Sequence, residues 1–274
     1  MFRKAQPEIQ LKSPAEIAKM RAAGRVVADT LDTLRAAVRP GISTLDLDTI
    51  AERGIRAAGA VPSFKGYHGF PGSICASVNE EVVHGIPRAD KVLREGDIIS
   101  IDCGAILDGW HGDSAITVAV GEADPADAEV MRVCEDAMWA GVAAMRVGAR
   151  LGDIGHAIDS AISRRGRYGN VQEYGGHGIG TEMHMEPHVL NHGRPGRGLA
   201  LVAGMCLAIE PMVNRGTRQV LQLEDGWTVV TRDGKRSAHF EHSVAVTEDG
   251  PVVLTAREEN RERIAALGLP DPGF

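Results

Sequence analysis

The sequence has little cysteine, few aromatic residues and no long apolar run. Among 274 residues there are 4 cysteines and 11 aromatic residues (3 Trp, 3 Tyr and 5 Phe). The cysteines are far apart and form no C-x-x-C pair, so we expect them to be reduced and mostly buried, without a disulfide framework or a thiolate zinc site. No apolar stretch approaches the roughly 18 residues that a membrane-spanning helix needs, and the start, MFRKAQPEIQLK, lacks the apolar core of a signal peptide. We therefore expect a cytoplasmic protein.

Basic residues are not in excess either. The formal net charge is −7 and the pI is near 5.8, with Lys and Arg scattered along the chain. This balance argues against the basic surface that nucleic acids and anionic membranes bind, so neither is expected as a partner. Hydrophobic residues make up 43% of the chain and charged residues 24%, as is typical of a globular protein with a large buried core.

Two aspartates stand out in the segment 96–120, GDIISIDCGAILDGWHGDSAITVAV, because each lies in or beside a run of β-branched residues. The dipeptide Asp108-Gly109 is typical of a two-residue turn, which predicts a hairpin. In that register Asp102 and Asp113 are diagonal neighbours on one face, roughly 7 to 8 Å apart at the backbone. Two carboxylates that converge on a half-buried surface repel each other unless a cation lies between them.

Helical signals occur in two similar pairs. The first pair starts at a capping motif at Ser13 and near Thr44, and the second starts at Asp124 and shortly before Ile154. Each segment carries apolar residues at helical spacing and is followed by a turn signal that contains glycine.

The strand segments repeat as well. With a shift of 108 residues, segment 96–102 falls on segment 204–210. After a longer loop between the two strands, Glu241 is the counterpart of Asp113. A period this long is too great for a solenoid repeat, so the chain is predicted to consist of two fused halves.

These halves set the expected domain organisation. They cover about residues 13–122 and 123–255, and we expect them to bury one continuous sheet together as a single catalytic domain over residues 1–274. Residues 256–274 are expected to form a polar, peripheral tail.

The duplication places four acidic residues at equivalent strand positions, namely Asp102, Asp113, Glu210 and Glu241. Together they carry a charge of about −4, which two divalent cations would balance. Between the halves, the motif GGHGIG offers one nitrogen ligand, His177. An oxygen-rich set with one imidazole suits Mn, Fe or Co and can accept Zn.

This ordered set resembles the ligands of the type I methionine aminopeptidases, in their short bacterial form, which belong to the pita-bread metallopeptidases. The segment 79–87, NEEVVHGIP, strengthens the resemblance, which covers the chain from about Ser13 to Thr255. It implies an α+β, pita-bread fold of pseudo-twofold duplicated halves, with helices covering a curved, mostly antiparallel sheet. No proline-rich extension precedes Ser13, as expected for the short form.

The same resemblance implies a dinuclear metal site and metal-dependent removal of the N-terminal methionine from nascent proteins and peptides. Asp113 and Glu241 would bridge two divalent ions. Asp102 would hold one ion, and His177 with Glu210 would hold the other. The ions would lower the pKa of a water molecule and polarise the scissile carbonyl.

The resemblance also assigns catalytic roles to three residues. Glu210, which is both ligand and base, would take the proton of the attacking water. His184 would stabilise the tetrahedral oxyanion or orient the carbonyl, and His84 would contact the substrate amide near the leaving group.

The methionine side chain would lie in a pocket of soft, apolar residues. By the family match, the substrate-binding residues are His84, His184, Phe64, Tyr67, Phe70, Cys75, Met183 and Trp227. Phe64 stands where the better-known bacterial members have Cys, and Met183 stands where they have Phe, so the outline of this pocket differs from theirs. Asn79 and Ser237 match positions that hold a monovalent cation in some relatives.

Two other functions remain open from the sequence. Proline-specific (X-Pro) peptidases share the five ligands but carry an extra N-terminal domain, which this chain is expected to lack. A catalytically inactive pita-bread binding module is the second alternative, and the intact ligands together with His84 and His184 argue against it. The type II methionine enzymes have a large insertion between the last two ligands, and the 31 residues from Glu210 to Glu241 leave no room for one.

The expected substrates are peptides and nascent proteins that begin with methionine. We expect a monomer, and transient contact with the ribosome is compatible with the resemblance.

Overall fold

A computed structural model of the chain describes residues 9–274. The first eight residues lie outside the described part. They include most of the N-terminal stretch MFRKAQPEIQLK, which is predicted not to be a signal peptide. The helices of the described residues are α1 (Pro14–Ala37), α2 (Thr44–Ala57), α3 (Pro125–Ala143), α4 (Leu151–Arg165) and α5 (Arg261–Ala266). Single turns of 3-10 helix occur at Tyr67–Gly69 and Glu258–Asn260.

The strands of the described residues are short, except for the central hairpin. In chain order they are β1 (Val61–Pro62), β2 (Ile74–Val78), β3 (Glu81–Val83), β4 (Ile98–Leu107), β5 (Trp110–Ala119), β6 (Gly169–Asn170), β7 (Gly176–Gly178), β8 (Met185–Val189), β9 (Cys206–Ile209), β10 (Met212–Asn214), β11 (Val220–Gln222), β12 (Val229–Thr231), β13 (Ser237–His239), β14 (Glu241–Thr247) and β15 (Gly250–Val253).

Nine strands form one central sheet in which neighbouring strands run antiparallel. Its order is β1-β4-β5-β14-β9-β7-β8, with β2 beside β4 and β15 beside β14. Two three-stranded sheets, β13-β10-β6 and β11-β12-β3, complete the strand structure of the described residues.

The four long helices begin where the sequence predicts. At the start of α1 the Ser13 hydroxyl accepts the N–H of Glu16, and the Glu16 carboxylate accepts the N–H of Ser13 at 2.7 Å. The Asp124 carboxylate caps α3 by accepting the N–H of Ala126 at 2.9 Å. These reciprocal hydrogen bonds satisfy amide groups that the first turn of a helix leaves without partners.

The hairpin of β4 and β5 has the predicted register. Asp102 pairs with Ala115, and the turn residues Asp108 and Gly109 have φ of +50° and +80°. Positive φ at both central residues is what a two-residue turn of this type requires. Asp113 is consequently a diagonal neighbour of Asp102 on the same face of the sheet.

The two predicted halves meet where β5 pairs with β14. In this junction Glu241 lies opposite Ala115 of the first half. On its other side β14 pairs with β9, with His242 opposite Ile209. Extending that register by one residue places Glu210 opposite Glu241, so all four acids are brought to neighbouring strands.

The helices cover one face of the central sheet and leave the other to the acids. Alternate residues of β4, among them Ile99, Ile101 and Cys103, are buried in the main core together with Leu31 of α1. Because successive residues of a strand point to opposite faces, Asp102 points away from these helices.

The C-terminal segment, residues 256–274, packs two apolar side chains into the main core. These are Ile264 and Leu269, and Arg21 of α1 donates a hydrogen bond to the carbonyl of Gly273 at 2.9 Å. The helix α5 is only six residues long, so its apolar periodicity extends over less than two turns and gives little signal in the sequence. The single domain and its peripheral C-terminal tail stay predictions.

All four cysteines are free and buried, as predicted. Burial is the main cause that raises the pKa of each thiol. Because the thiolate is the reactive form, these cysteines are expected to be unreactive. Within residues 9–274, no helix is both long and apolar enough to cross a membrane.

Candidate metal centre

A cavity of about 420 Å³ lies on the acid-bearing face of the central sheet. Its walls bring together all but one of the residues that the sequence predicts to bind metal, act in catalysis or bind substrate. The lining residues are Phe64, Tyr67, His68, Phe70, Cys75, His84, Asp102, Asp113, His177, His184, Glu210, Trp227 and Glu241. Met183 is the exception, and it is buried in the same apolar cluster as Phe64.

The four acids come from four separate places in the central sheet. Asp102 lies in β4, Asp113 begins the apolar part of β5, Glu241 begins β14, and Glu210 directly follows β9. The side-chain amide of Asn191 donates to the Glu210 carbonyl at 3.1 Å, which fixes the backbone where β9 has ended.

His177 reaches the acids because β7 inserts tightly between β8 and β9. Its neighbours Gly176 and Gly178 leave no space for a side chain, since an added Cβ would lie 2.1 Å from the Ala208 carbonyl oxygen and 2.2 Å from the Glu186 carbonyl oxygen, respectively. The glycines of the GGHGIG motif thus permit the close approach that places the imidazole in the cavity.

The hydrogen bonds of His177 determine which ring nitrogen faces the acids. Nδ1 lies 2.9 Å from the carbonyl oxygen of Gly178, which can only accept, so Nδ1 carries the proton. Burial lowers the pKa of His177 to about 3, so the ring is neutral and Nε2 carries a lone pair. Nε2 lies 3.4 Å from Oε1 of Glu210 and 3.9 Å from Oδ2 of Asp113. A lone pair beside carboxylate oxygens is repulsive unless a cation lies between them.

The acids themselves fit a metal ion. Oδ1 of Asp102, Oδ1 of Asp113 and Oε1 of Glu241 are buried and have no hydrogen-bond partner. Ligand atoms of Asp113, His177 and Glu241 all lie within 4.8 Å of one another. Buried polar atoms are normally satisfied, so these oxygens and the His177 lone pair form a donor set that divalent cations would complete.

Burial also changes the acidity of the carboxyl groups. It raises the pKa of Asp102 to about 7 and raises the pKa values of Asp113, Glu210 and Glu241 well above their usual range. Neighbouring carboxylates reinforce the shift at the last three. Without cations the cluster therefore holds protons at pH values where ordinary carboxyl groups are ionised.

This shift predicts a pH-dependent stability difference between the metal-free wild type and metal-free Asp102→Asn. The unfolded chain releases the Asp102 proton near pH 3.8 and the folded chain near pH 7, so the carboxyl group costs stability as the pH rises between these values. Relative to the wild type, the free energy of unfolding of Asp102→Asn should rise by on the order of 1 kcal/mol for each pH unit in this window. Chemical denaturation at pH 5, 6 and 7 measures the difference.

The buried histidines also make stability depend on pH, because their neutral folded forms favour stability at higher pH. Their contribution is the same in both proteins, so it cancels in the difference. A stability difference that stays constant from pH 5 to 7 would contradict the raised pKa of Asp102. Added divalent cation should stabilise the wild type more at pH 7 than at pH 5, because ligand carboxylates bind metal in their ionised form.

Two further histidines, His84 and His184, face the cavity. His84 has φ of +60° and packs edge-on against Tyr174, with ring centroids 5.7 Å apart. Burial lowers its pKa to about 4, so it is neutral. His184 lies beside His177, with ring centroids 4.4 Å apart, and its Nδ1 lies 2.8 Å from the Tyr67 hydroxyl.

Apolar residues close the side of the cavity next to the acids. Phe70 packs edge-on against Trp227 with ring centroids 5.1 Å apart. A Cβ on Gly104, two residues after Asp102, would lie 2.8 Å from both Met183 Cε and Phe64 Cε1. Phe64 and Met183 therefore pack against the same residue of β4. The large ring of Phe64 is accommodated because its neighbour Met183 has a flexible side chain.

Two residues at or beside the site were missed from the sequence. His68 lines the wall beside Tyr67, within a loop whose shape the sequence did not predict. His239 is buried, and its ligand atoms cluster with those of Glu210 and Glu241. The signal for His239 was present, because it precedes Glu241 by two residues just as His111 precedes Asp113 in the first half.

The described residues also contain a larger surface cavity, of about 760 Å³, between α1, α3 and α5. Its charged residues include Arg35 and Glu259, which pair with each other. Histidine and cysteine are absent from its lining, so it lacks the donor groups that distinguish the smaller cavity.

Comparisons with known proteins agree with this site. The profile of metallopeptidase family M24 matches residues 18–248. Methionine aminopeptidase 1 of Mycobacterium tuberculosis is 56% identical over 249 residues, which cover 89% of this chain and 94% of that protein. The crystal structure of methionine aminopeptidase from Rickettsia prowazekii superimposes with a TM-score of 0.89 at 43% identity, covering 91% of this chain and 100% of that one.

A prolidase from Pyrococcus horikoshii shares the fold at greater distance. Its TM-score is 0.73 at 21% identity, and the match covers 91% of this chain but 64% of the prolidase. With both structures the curled antiparallel sheet superimposes, which confirms the predicted pita-bread fold.

Proposed function

The chain belongs to metallopeptidase family M24, and we propose that its acidic cavity removes the N-terminal methionine from peptides and nascent proteins by metal-dependent hydrolysis. The proposal rests mainly on one observation, that a histidine lone pair and three unpartnered carboxylate oxygens share one cavity with an apolar pocket. The high identity to named methionine aminopeptidases over nearly the whole chain supports the same activity.

The residues of the cavity can hold two divalent cations. We assign Asp113 and Glu241 to both ions, Asp102 to one, and His177 with Glu210 to the other. Bound divalent cations would lower the pKa of a water molecule and polarise the scissile carbonyl. Mn, Fe and Co suit this oxygen-rich set, and Zn can be accepted.

Glu210 is the residue that we assign to the proton of the attacking water. In the metal-free protein, burial together with Asp102 and Asp113 raises its pKa. Its role as base rests on a carboxylate positioned to accept a proton beside the proposed metal ligands. Its Oε1 faces the centre of the donor set, 3.4 Å from Nε2 of His177, which places the base beside the reacting groups.

His184 and His84 are assigned to the substrate. Nδ1 of His184 lies 2.8 Å from the Tyr67 hydroxyl. We assign this hydroxyl as the donor, which leaves the ring proton on Nε2, where it can be donated to the oxyanion that forms on the substrate carbonyl. His84 is neutral and lies on the cavity wall near Trp227, where it can hydrogen-bond the substrate amide near the leaving group.

The apolar wall is assigned to the methionine side chain. Cys75, Phe70 and Trp227 line it together with Phe64 and Tyr67, and Met183 supports it from behind. A thioether is soft and unbranched, so such a wall favours methionine over charged or branched side chains.

The proposal also includes a monovalent-cation site, the location of the protein and its partners. Asn79 and Ser237, the proposed site of a monovalent cation, lie side by side, since the Ser237 N–H donates to the Asn79 carbonyl at 2.9 Å. We also propose that the protein acts in the cytoplasm as a monomer on proteins that begin with methionine, with transient contact with the ribosome.

The test of the proposed function compares two substrates. Protein freed of metal is supplied with Mn, Fe or Co and offered a Met-Ala-Ser peptide beside an X-Pro peptide. Release of methionine from the first peptide is expected, and it should depend on added metal. Cleavage of the X-Pro peptide alone would contradict the proposal, and absence of cleavage with every metal would favour a binding module.

Replacing His84 with Ala separates substrate contact from metal binding. We expect turnover to fall by on the order of 100-fold while both cations stay bound, because His84 contacts substrate in this assignment and is not a ligand. Metal stoichiometry by elemental analysis, measured beside the steady-state rate, checks both parts. Loss of a cation in this variant would show that His84 belongs to the metal site.

A further inference from the structure

His239 is held rigidly beside the acids without using its ring. It ends β13, and its side chain is only 2% exposed. Thr117 of β5 fixes its backbone twice, since the His239 N–H donates to Oγ1 of Thr117 at 2.9 Å and the same hydroxyl donates to the His239 carbonyl at 2.8 Å. The ring is thus placed by the strand and not by its own hydrogen bonds.

The free ring nitrogen of His239 points towards the acids. Nε2 is buried, has no hydrogen-bond partner, and lies 3.8 Å from Oε2 of Glu210. That separation is too long for a hydrogen bond. Two donors on one ion, each about 2.0 to 2.2 Å from it, lie at most about 4.4 Å apart, so 3.8 Å fits a shared cation.

The two oxygens of Glu210 face different histidines. Oε1 lies 3.4 Å from Nε2 of His177, and Oε2 lies 3.8 Å from Nε2 of His239. Ligand atoms of Glu210, His239 and Glu241 also lie within 4.8 Å of one another, as those of Asp113, His177 and Glu241 do. The donor set therefore contains two clusters that share Glu241, each with its own imidazole.

The equivalent histidine of the first half is used differently. His111 stands two residues before Asp113, as His239 stands two residues before Glu241. Nδ1 of His111 lies 3.0 Å from the Ser63 hydroxyl, and its Nε2 is not among the unpartnered buried atoms. A buried ring nitrogen without a hydrogen-bond partner therefore occurs at His239 and not at His111.

We propose that His239 is a sixth metal ligand, which binds through Nε2 to the cation that Glu210 and Glu241 hold. The proposal rests on the metal centre of the proposed function. It changes the donor set from one imidazole to two, which shifts the preference from Mn towards Fe, Co and Zn. It also places both imidazoles on one cation, because His177 is assigned to the same ion as Glu210.

The first test uses His239→Gln with His242→Gln as its matched control. Glutamine keeps a hydrogen-bond donor but is a poor ligand for these metals. His242 is equally buried, lies three residues further along, and its Nδ1 binds the Thr255 hydroxyl at 2.8 Å, away from the acids. Calorimetric titration of metal-free protein with Co or Zn should show one site weakened at least about tenfold in His239→Gln and both sites unchanged in His242→Gln.

Wild-type affinity for both cations in His239→Gln would overturn the proposal and leave His239 with a supporting role.

A second measurement does not depend on whether the variant folds. In wild-type protein with ¹⁵N-labelled histidine, added Zn should move two imidazole nitrogens to the metal-bound range, one of which disappears in His239→Gln if that variant folds. A single metal-bound imidazole would overturn the proposal.

Both measurements are made without substrate. Failure of the His239 proposal would therefore appear as unchanged metal binding in His239→Gln, while the wild-type protein still releases methionine. Failure of the proposed function would appear as absent methionine release with metal binding intact.

Discussion

Glu210→Gln is expected to lower kcat by on the order of 10³-fold at saturating metal, with little change in KM. The amide has the size of the carboxyl group but cannot accept the proton of the attacking water. The carboxylate lies beside the proposed metal ligands, with its Oε1 3.4 Å from Nε2 of His177, and the substitution removes its capacity to accept a proton there. Steady-state kinetics on a Met-Ala-Ser peptide, measured over increasing metal concentration, gives kcat and KM separately.

The metal series decides between two roles of Glu210. If the carboxylate serves only as a ligand, high metal concentration should restore turnover in the variant, and this result would contradict its assignment as base. Glu182→Gln is the matched control, because Glu182 is exposed in the loop between His177 and His184. Its kcat is expected to match the wild type.

Asp113→Asn is expected to abolish tight binding of both cations, whereas Asp102→Asn should weaken only one. Asp113 is assigned to both ions, and its Oδ1 is buried without a protein partner. Asp102 has an unpartnered Oδ1 too, but it is assigned to a single ion. The affected affinities should fall by more than roughly 100-fold, beyond the effect of removing a residue that only supports a ligand.

Calorimetric titration of the two metal-free variants measures the stoichiometry and affinity of each site. Asp108→Asn is the control, since Asp108 lies at the turn of the same hairpin and asparagine tolerates its positive φ of +50°. Equal loss of both cations in Asp102→Asn would show that the division between bridging and single-ion ligands is wrong.

The strand register and the four acids could be predicted because local signals agreed with each other. Asp108-Gly109 fixed the turn, and the turn placed Asp102 and Asp113 on one face. The internal repeat then identified Glu210 and Glu241 without any knowledge of the fold. Helix caps at Ser13 and Asp124 are equally local, so their hydrogen bonds could be expected from neighbouring residues alone.

What failed to be predicted depends on contacts between distant parts of the chain. Whether the ring of His239 is free cannot be judged from its neighbours, since the answer depends on Thr117 and Glu210. The packing of Ile264 and Leu269 depends on the surface that α1 and the sheet offer them. The family resemblance supplied the roles of His84 and His184, which spacing alone would not give.

The junction between β5 and β14 makes the site a late product of chain assembly. Asp102 and Glu241 are brought together through the pairing of Ala115 with Glu241, across more than a hundred residues of sequence. Contacts of such sequence separation form late and slowly in folding. Residues up to Glu241 must therefore have left the ribosome before the proposed set of ligands can be complete, so a newly made chain is expected to be inactive until both halves have paired.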